Sequence, residues 1–275
     1  NSTSNSGEVY LYIIPSISTS ISDAVFGTNA GDDLTLTTGT ITTLLSAATN
    51  VVLQANNDIT VSEAITAANG SGDGGNLTMQ AGRSLLINAN ITTDNGNLIL
   101  TANDTAGNGV VDAQRDSGAA VITLASGTTV NTGTGSFTAT ISAGADKTND
   151  ASGDITLSSV TAGSLVATNS GPTSGSDILD NGVLTIAGTS SFTTSVSNAV
   201  ITLDSANAFT GAVTVNTTGS SGHATVVDAS GLDLGASTVG GNLVATATTG
   251  NMEDSGVLTI AGTSSFTTSA TDATI

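Results

Sequence analysis

The sequence has no cysteine and no tryptophan, two prolines and only three lysine and arginine residues together. The lack of cysteine excludes disulfides, thiolate metal sites and cysteine nucleophiles, so stability must come from packing and hydrogen bonds. Aromatic residues make up 3% of the chain and charged residues 9%. The core must therefore be thin and aliphatic, and the surface must be largely neutral.

What the sequence does contain is 38% hydrophobic residues over 275 positions, enough for a sizeable core, together with 33 glycines. The 22 acidic residues give a formal net charge of -19, which repels phosphate backbones and anionic membrane surfaces. No apolar run approaches the 18 or so residues of a bilayer span. We therefore expect neither a nucleic-acid partner nor membrane insertion.

The apolar residues occur in short, β-branched clusters that alternate inward and outward and are bounded by Gly, Asn or Asp. Examples are LTL at 34–36, VVL at 51–53, ITV at 59–61, LLI at 85–87 and LIL at 98–100. No window of a dozen residues keeps helical spacing. The pattern predicts an all-β fold built of many very short strands.

These clusters recur with a basic step of 21 residues, seen where NLTM at 76–79 is followed by NLIL at 97–100. The preceding unit is longer only by the glycine-rich tip at 70–74. Units of this size bury their apolar face only against the units above and below, which predicts a parallel β-solenoid (β-helix) with coils of roughly 21–25 residues, eleven or twelve in all, about 4.8 Å apart. The alternative, a pair of β-sandwich modules, predicts repeats of roughly 90–100 residues without a shorter period.

A longer repeat occupies the C-terminal half. GVLTIAGTSSFTTS occurs at 182–195 and again, 74 residues later, at 256–269. We interpret this unit of 74–78 residues as three coils. The predicted organisation is a lead-in or preceding coil at 1–30, a solenoid of short coils at 31–157, and a solenoid of longer repeats at 158–275. The chain stops within a repeat, so we expect a piece of a longer protein.

The strings at 75–102 and 209–268 resemble the repeat regions of filamentous-haemagglutinin-like bacterial exoproteins. The resemblance covers about residues 30–275 and implies a right-handed parallel β-helical shaft from a secreted or cell-surface adhesin. It also implies partners among the glycans or proteins of host or neighbouring cell surfaces, bound through other regions of the protein. The N-terminal secretion domain of such exoproteins has no counterpart in this sequence.

Turn aspartates are the candidate metal ligands, because Ca²⁺ takes hard oxygen ligands. They are Asp73, Asp94, Asp104, Asp112 and Asp116. The alternative is that these carboxylates only form side-chain turns. The loop GSGDGG at 70–75 is not a phosphate loop, because a strand follows it rather than a Lys-Ser/Thr pair and a helix. Apart from Ca²⁺, no cofactor is expected.

Catalysis is not expected, and no catalytic residue is assigned. Polysaccharide-cleaving β-helices need paired carboxylates or a metal with a basic residue, and commonly aromatic platforms. Here Arg83, Arg115, Lys147 and His223 are scattered along the sequence, and His223 reads as a surface turn residue. Thr-x-Thr pairs, as at 34–38, would suit an ice-binding face only if the same pair recurred at the same position in successive coils. The sequence does not indicate such a recurrence.

The alternation predicts a set of inward-facing core residues, with phenylalanines filling the wide part of the coil. The set is Ile59, Val61, Leu85, Ile87, Leu98, Leu100, Leu184, Ile186, Phe192, Leu258, Ile260 and Phe266.

Three hypotheses about function remain. The favoured one is a structural shaft segment of a large bacterial adhesin, acting as a rigid spacer. The second is a self-assembling extracellular filament, sheath or surface layer, formed by end-to-end association of open solenoid ends. The third is a carbohydrate-binding or carbohydrate-active β-helix, whose residues would lie near 112–116.

Overall fold

The computed structural model describes residues 9–11, 21–28, 31 and 33–275. Within them the chain is a β-solenoid of about nine turns, built almost entirely of parallel strands with few helices. The predicted fold class is confirmed. Most of the predicted lead-in at 1–30 lies outside the described residues, and the strands run without a break across the predicted boundary at 157/158.

The strands lie on three faces, which we call A, B and C. Face A carries strands in the stacking order β2, β1, β4, β7, β10, β13, β16, β19, β21, β24 and β27. Their bounds are β1 Val9–Leu11, β2 Leu34–Leu36, β4 Ile59–Val61, β7 Leu85–Ile87, β10 Ala120–Leu124, β13 Ser152–Leu157, β16 Ile178–Asp180, β19 Ile201–Phe209, β21 Ala224–Asp228, β24 Leu243–Ala247 and β27 Ser264–Thr268.

Face B is the widest, because most of its strands have five or more residues. Its strands are β3 Val51–Ala55, β6 Leu77–Ala81, β9 Leu98–Ala102, β12 Ser136–Ile141, β15 Ser164–Asn169, β18 Ser190–Ser197, β20 Val213–Thr218, β22 Leu232–Leu234, β23 Ser237–Val239, β25 Met252–Asp254 and β26 Leu258–Ile260. In the last two coils this face is divided between two short strands, β22 with β23 and β25 with β26.

Face C is the narrowest. It contains β5 Ile65–Thr66, β8 Ile91–Thr92, β11 Thr129–Asn131, β14 Ser159–Ala162 and β17 Leu184–Ile186. The end of β19 also pairs with β17, so this one strand connects faces A and C into a 16-stranded sheet.

The core is the aliphatic interior enclosed by the three faces. Strands such as β6 alternate buried and half-buried residues, as the period of two requires. Nine of the twelve predicted core residues are fully buried, and Leu258, Ile260 and Phe266 are only partly buried because they belong to the last coil. Phe192 and Phe209 meet edge to face inside, with ring centroids 6.1 Å apart.

Coil length varies more than the sequence predicted. Leu77 and its face-B partner Leu98 are 21 residues apart, but Leu85 and its face-A partner Ile122 are 37 residues apart. The extra residues lie in a loop at the corner between faces B and A. Because such loops consume chain without adding a coil, the molecule has about nine turns rather than eleven or twelve.

A helix that the sequence did not predict covers the first coils. Helix α1 spans Thr38–Ser46 and buries Ile41 and Leu45 completely. The hydroxyls of Thr42 and Ser46 accept hydrogen bonds from the backbone N–H groups of Thr66 and Ala68, at 3.3 and 3.0 Å. The helix therefore closes the end of face C, where β5 is the last strand.

The two copies of GVLTIAGTSSFTTS occupy different faces, which corrects the three-coil interpretation. In the first copy β17 lies on face C and β18 on face B; in the second, β26 lies on face B and β27 on face A. On face B, the residue stacked three coils after Ser190 is Asp254. The residue that corresponds to Ser190 in the second copy is Ser264, ten residues farther along the chain. The 74-residue unit thus spans about three and one-third coils.

Glycines at the corners allow this change of face. Gly188 lies at the corner between faces C and B, where an added Cβ would be 2.5 Å from the carbonyl oxygen of Gly163. Its counterpart Gly262 lies at the next corner, between faces B and A, where its N–H donates to Gly241 at 2.9 Å. The same sequence can turn either corner because both corners require close backbone approach and alternating strands on each side.

Candidate functional site

The most elaborate polar region lies at the corner between faces B and A, where two long loops project. Residues 103–119 connect β9 to β10, and residues 142–151 connect β12 to β13. All three lysine and arginine residues of the chain are found here, together with several aspartates. We call Asp58, Arg83, Asp112, Arg115 and Lys147 the corner cluster. The sequence had suggested that these cations were scattered.

Arg83 forms a two-pronged ion pair with Asp58. Its Nε lies 2.8 Å from Oδ1 and its Nη2 lies 2.6 Å from Oδ2. Nη1 also donates to the backbone carbonyl of Ser117 at 3.1 Å. Fork-to-fork geometry of this kind fixes orientation as well as contributing energy. The pair connects two successive coils to the loop at 103–119.

Arg115 is almost fully buried, with 3% of its surface exposed. It donates to the backbone carbonyls of Gly82, Asp116, Gly118 and Ala151, which belong to a coil and to both loops. Burial lowers the pKa of this guanidinium, and the charge of Arg83 lowers it further. The side chain therefore holds the base of the two loops together.

Lys147 reaches from the second loop into the same region. Its Nζ donates to the carbonyl of Gly82 at 2.8 Å and to Oδ1 of Asn103 at 3.0 Å. Burial, with the nearby charge of Arg115, lowers the pKa of Lys147 to about 8. Asn103 is itself buried and donates from Nδ2 to the carbonyls of Ser142 and Asp150. Chemically, the cationic groups are directed at protein oxygens.

Three of the five predicted calcium ligands lie in the first loop. Asp104 is buried and accepts from the N–H of Thr105 and the Nδ2 of Asn108. Asp112 accepts the N–H of Thr148 in the second loop, and hydrogen bonds from the side chain and then the backbone of Thr148 lower the pKa of its carboxyl. Asp116 accepts from Asn57 Nδ2 at 2.9 Å. Each of these carboxylates stabilises a turn or a loop contact.

The other two candidates lie near a different corner. The carboxylate of Asp94 accepts the N–H of Asn69, and Asp73 is exposed at the glycine-rich tip. Across the described residues, no group of three or more His, Cys, Asp or Glu side chains is placed to hold a metal ion. Ca²⁺ binding stays a prediction for these residues.

Polar ladders at the corners are a feature that sequence reasoning missed. Asn50 Oδ1 accepts the N–H of Asn76 at 2.9 Å, Asn76 Oδ1 accepts that of Asn97 at 2.8 Å, and Asn97 Oδ1 accepts that of Ser136 at 2.8 Å. Each side-chain amide oxygen satisfies a backbone N–H donor of the following coil. The signal was present, since Asn76 and Asn97 start equivalent units.

A second ladder runs along the corner that precedes face A, and it includes the single histidine. Asp154 accepts from Asp177 and Asp177 from Val200. Farther along, His223 Nδ1 accepts the N–H of Asn242 at 2.9 Å, and Asn242 in turn accepts that of Thr263. His223 is exposed in a turn, as expected, but its ring also joins two coils. Burial raises the pKa of Asp154.

A buried polar pair supports the middle of the solenoid. Asn207 donates from Nδ2 to Asp180 at 2.7 Å and accepts from the N–H of Leu184 at 2.8 Å. Burial raises the pKa of Asp180, although the bond from Asn207 and two backbone N–H groups act against that rise. The pair ties face A to face C within successive coils.

The outer surface of face B carries a column of hydroxyl groups. Thr101, Thr140, Thr168 and Thr193 are stacked partners in four successive coils. The column two residues earlier is mixed, with Ile99, Thr138, Val166 and Ser191. Threonine is therefore stacked in one column of successive coils, which the sequence did not indicate. The Thr-x-Thr pair, by contrast, is not repeated from coil to coil. The acidic residues of the face-B strands, Asp233, Glu253 and Asp254, lie in the last coils.

The comparisons with known proteins relate the C-terminal half to a repeat family. Residues 143–216 and 221–275, together just under half of the chain, match a family described as repeats of unknown function, DUF5649. Each matched segment contains one copy of GVLTIAGTSSFTTS. No curated protein and no solved structure matches the chain. Within the described residues no helix is long and apolar enough to cross a bilayer.

Proposed function

We propose that the chain is a segment of a rigid shaft in a large secreted or cell-surface bacterial protein, where it separates an adhesive region from its anchoring point. The observation that carries the proposal is the continuous parallel stacking of strands on faces A and B along the whole solenoid, with face C stacked beside them from β5 to β19. In such a solenoid each coil is supported by its neighbours, so length can be added without redesigning the fold. The resemblance to filamentous-haemagglutinin-like exoproteins supports the same role.

The exterior suits a spacer. Strands present Thr, Ser, Asn and Val outward, and the corner cluster uses its cations to hold loops against the coils. A neutral to acidic surface of this kind limits association between neighbouring shafts. Stiffness would then come from the ladders and the corner cluster, which connect consecutive coils.

The spacer role can be tested by displaying a small binding module on a bacterial surface at the end of this chain. The matched control carries a Gly/Ser linker of the same number of residues, which behaves as a flexible coil. We expect large beads coated with the module's ligand to be captured better through the solenoid than through the linker. Equal capture would argue against a rigid spacer.

Self-assembly is the second candidate, because the last coil leaves Leu258, Ile260 and Phe266 partly exposed. The first coils, by contrast, are covered by α1. Among the described residues, the open strands at the C-terminal end are β26 of face B and β27 of face A. Concentration-dependent fibres in electron micrographs would support assembly instead of a single shaft.

A further inference from the structure

The C-terminal end of the solenoid exposes the outer edges of β26 and β27. Among the described residues no strand pairs with these edges, and each strand hydrogen-bonds only to the coil below it. Leu258, Ile260 and Phe266 are partly buried there, packed against the core from one side. We call these three side chains and the two strand edges the end surface.

The same sequence occurs inside the molecule, fully covered. Leu184, Ile186 and Phe192, the counterparts of the three end-surface side chains, are 0% exposed. The strands that cover them are the end of β19 and β20. The first copy therefore shows which strands can cover the side chains of the end surface.

The covering contacts are specific. Ile186 pairs with Phe209, whose ring also meets that of Phe192 edge to face at 6.1 Å. Ser190 and Phe192 pair with Val213 and Val215. The cover is thus an Ala-Phe pair followed, four residues after the phenylalanine, by Val-x-Val.

The layer beneath β27 matches as well. Under β18 lies β15, with Leu165, Val166 and Ala167 in register. Under β27 lies β24, which presents the same Leu-Val-Ala at 243–245. The support is therefore repeated beneath β27, whereas β26 rests on Ser237–Val239 where β17 rests on Val160, Thr161 and Ala162.

We propose that the end surface binds a parallel β-coil with the sequence pattern of residues 207–218, that is, a further coil of this same repeat type. Its phenylalanine would cover Ile260 and pack against Phe266, and its two valines would cover Ser264 and Phe266. The inference rests on the proposed shaft function and adds that a coil of the same repeat type binds to the shaft at this end. A folded second copy does not provide this coil, because its own Phe209, Val213 and Val215 are buried.

The test extends the sequence beyond Ile275. Ile275 corresponds to Ile201 in the first copy, so the text of residues 202–219 is appended directly after Ile275. The tether gives the added coil a high effective concentration at the end surface. Hydrogen exchange is then measured by mass spectrometry for peptides that cover β26 and β27.

We expect exchange in β26 and β27 to slow by at least about tenfold in the extended protein, because their outer amides become paired. The matched control appends the same segment with serine at the positions copied from Phe209, Val213 and Val215, and should leave exchange as in the original chain. Unchanged exchange with the native segment, or equal slowing with the serine version, would overturn the proposal. Neither result bears on the bead-capture test of the shaft, which uses the unextended chain.

Discussion

At the scale of single residues, Phe192 and Phe266 provide an internal comparison, because one sequence places the same side chain in two environments. Phe192 is fully buried beneath another coil, whereas Phe266 is only partly buried. We expect Phe192→Ala to lower the free energy of unfolding by about 3–5 kcal/mol, the usual cost of a core phenylalanine. Phe266→Ala should cost clearly less in the same urea titration, and equal losses would contradict the assigned coils.

The asparagine ladder gives a second prediction at this scale. Asn76→Ala removes the acceptor for the N–H of Asn97 and should destabilise the protein by about 1 kcal/mol or somewhat more. The matched control is Thr185→Ala, at an exposed outward position of β17. If both variants unfold at the same urea concentration, the ladder does not contribute to stability.

Lys147 gives a prediction about pH. Its pKa in the folded protein is lowered to about 8 from 10.5, so between these values the unfolded chain binds more protons than the folded one. Stability should therefore rise as pH increases from about 8 to 10.5. Partial exposure limits the gain to about 1 kcal/mol.

The measurement is urea unfolding at several pH values in that window. Lys147→Met should lose the rise with pH that Lys147 provides, while Phe266→Ala, which is remote from the corner cluster, should retain it. If Lys147→Met keeps the full rise, groups other than Lys147 cause it.

Much at the residue scale was predictable from the sequence. Alternation alone identified the inward positions, since a period of two fixes which side chains share a face. The corner cluster was not predictable, because Arg83, Arg115 and Lys147 are brought together by loops whose path depends on tertiary contacts. The asparagine ladder was visible only as a recurrence without an assigned role.

At the scale of elements, helix α1 shows where pattern reasoning failed. The segment at 38–46 is rich in threonine, a weak helix former, and is shorter than the window needed to recognise helical spacing. Tertiary packing decides its conformation, because Ile41 and Leu45 are buried over the end of the solenoid.

The covering role of α1 can be tested with neighbouring leucines. Leu45→Ala should cost about 2–5 kcal/mol and increase hydrogen exchange in β3 and β5, because it opens a cavity beneath the helix. Leu44→Ala, at a partly buried position on the same helix, should have a smaller effect. Equal effects of the two substitutions would argue against the described orientation of the helix.

The second copy of the repeat is assigned to faces B and A, with β27 stacked on β24. Because the sequence has no cysteine, an engineered pair of cysteines can test this stacking. Thr246 and Thr267 are stacked neighbours on face A. Thr246→Cys with Thr267→Cys should oxidise to a disulfide, since adjacent strands lie within the Cα separation that the bond accepts, about 4.4–6.8 Å. In the control, Val227→Cys with Thr267→Cys places the thiols two coils apart, and no disulfide should form.

At the scale of the whole molecule, the period found in the sequence determined the architecture, but not the number of coils. The 21-residue step implied stacking, and each unit needs neighbours to bury its apolar face. Corner loops of different length then made the coil count smaller than the chain length suggested. The sequence also did not show that the two copies of the long repeat begin on different faces, because a sequence repeat need not equal a whole number of coils.

The central claim is that the repeat adds length to a rod of constant thickness. Inserting a second copy of residues 195–268 after Thr268 lengthens the chain by one repeat in register, and small-angle X-ray scattering measures the result. We expect the maximum dimension to grow by about 16 Å, from three and one-third coils about 4.8 Å apart, with an unchanged cross-section. A thicker particle of unchanged length would contradict the account.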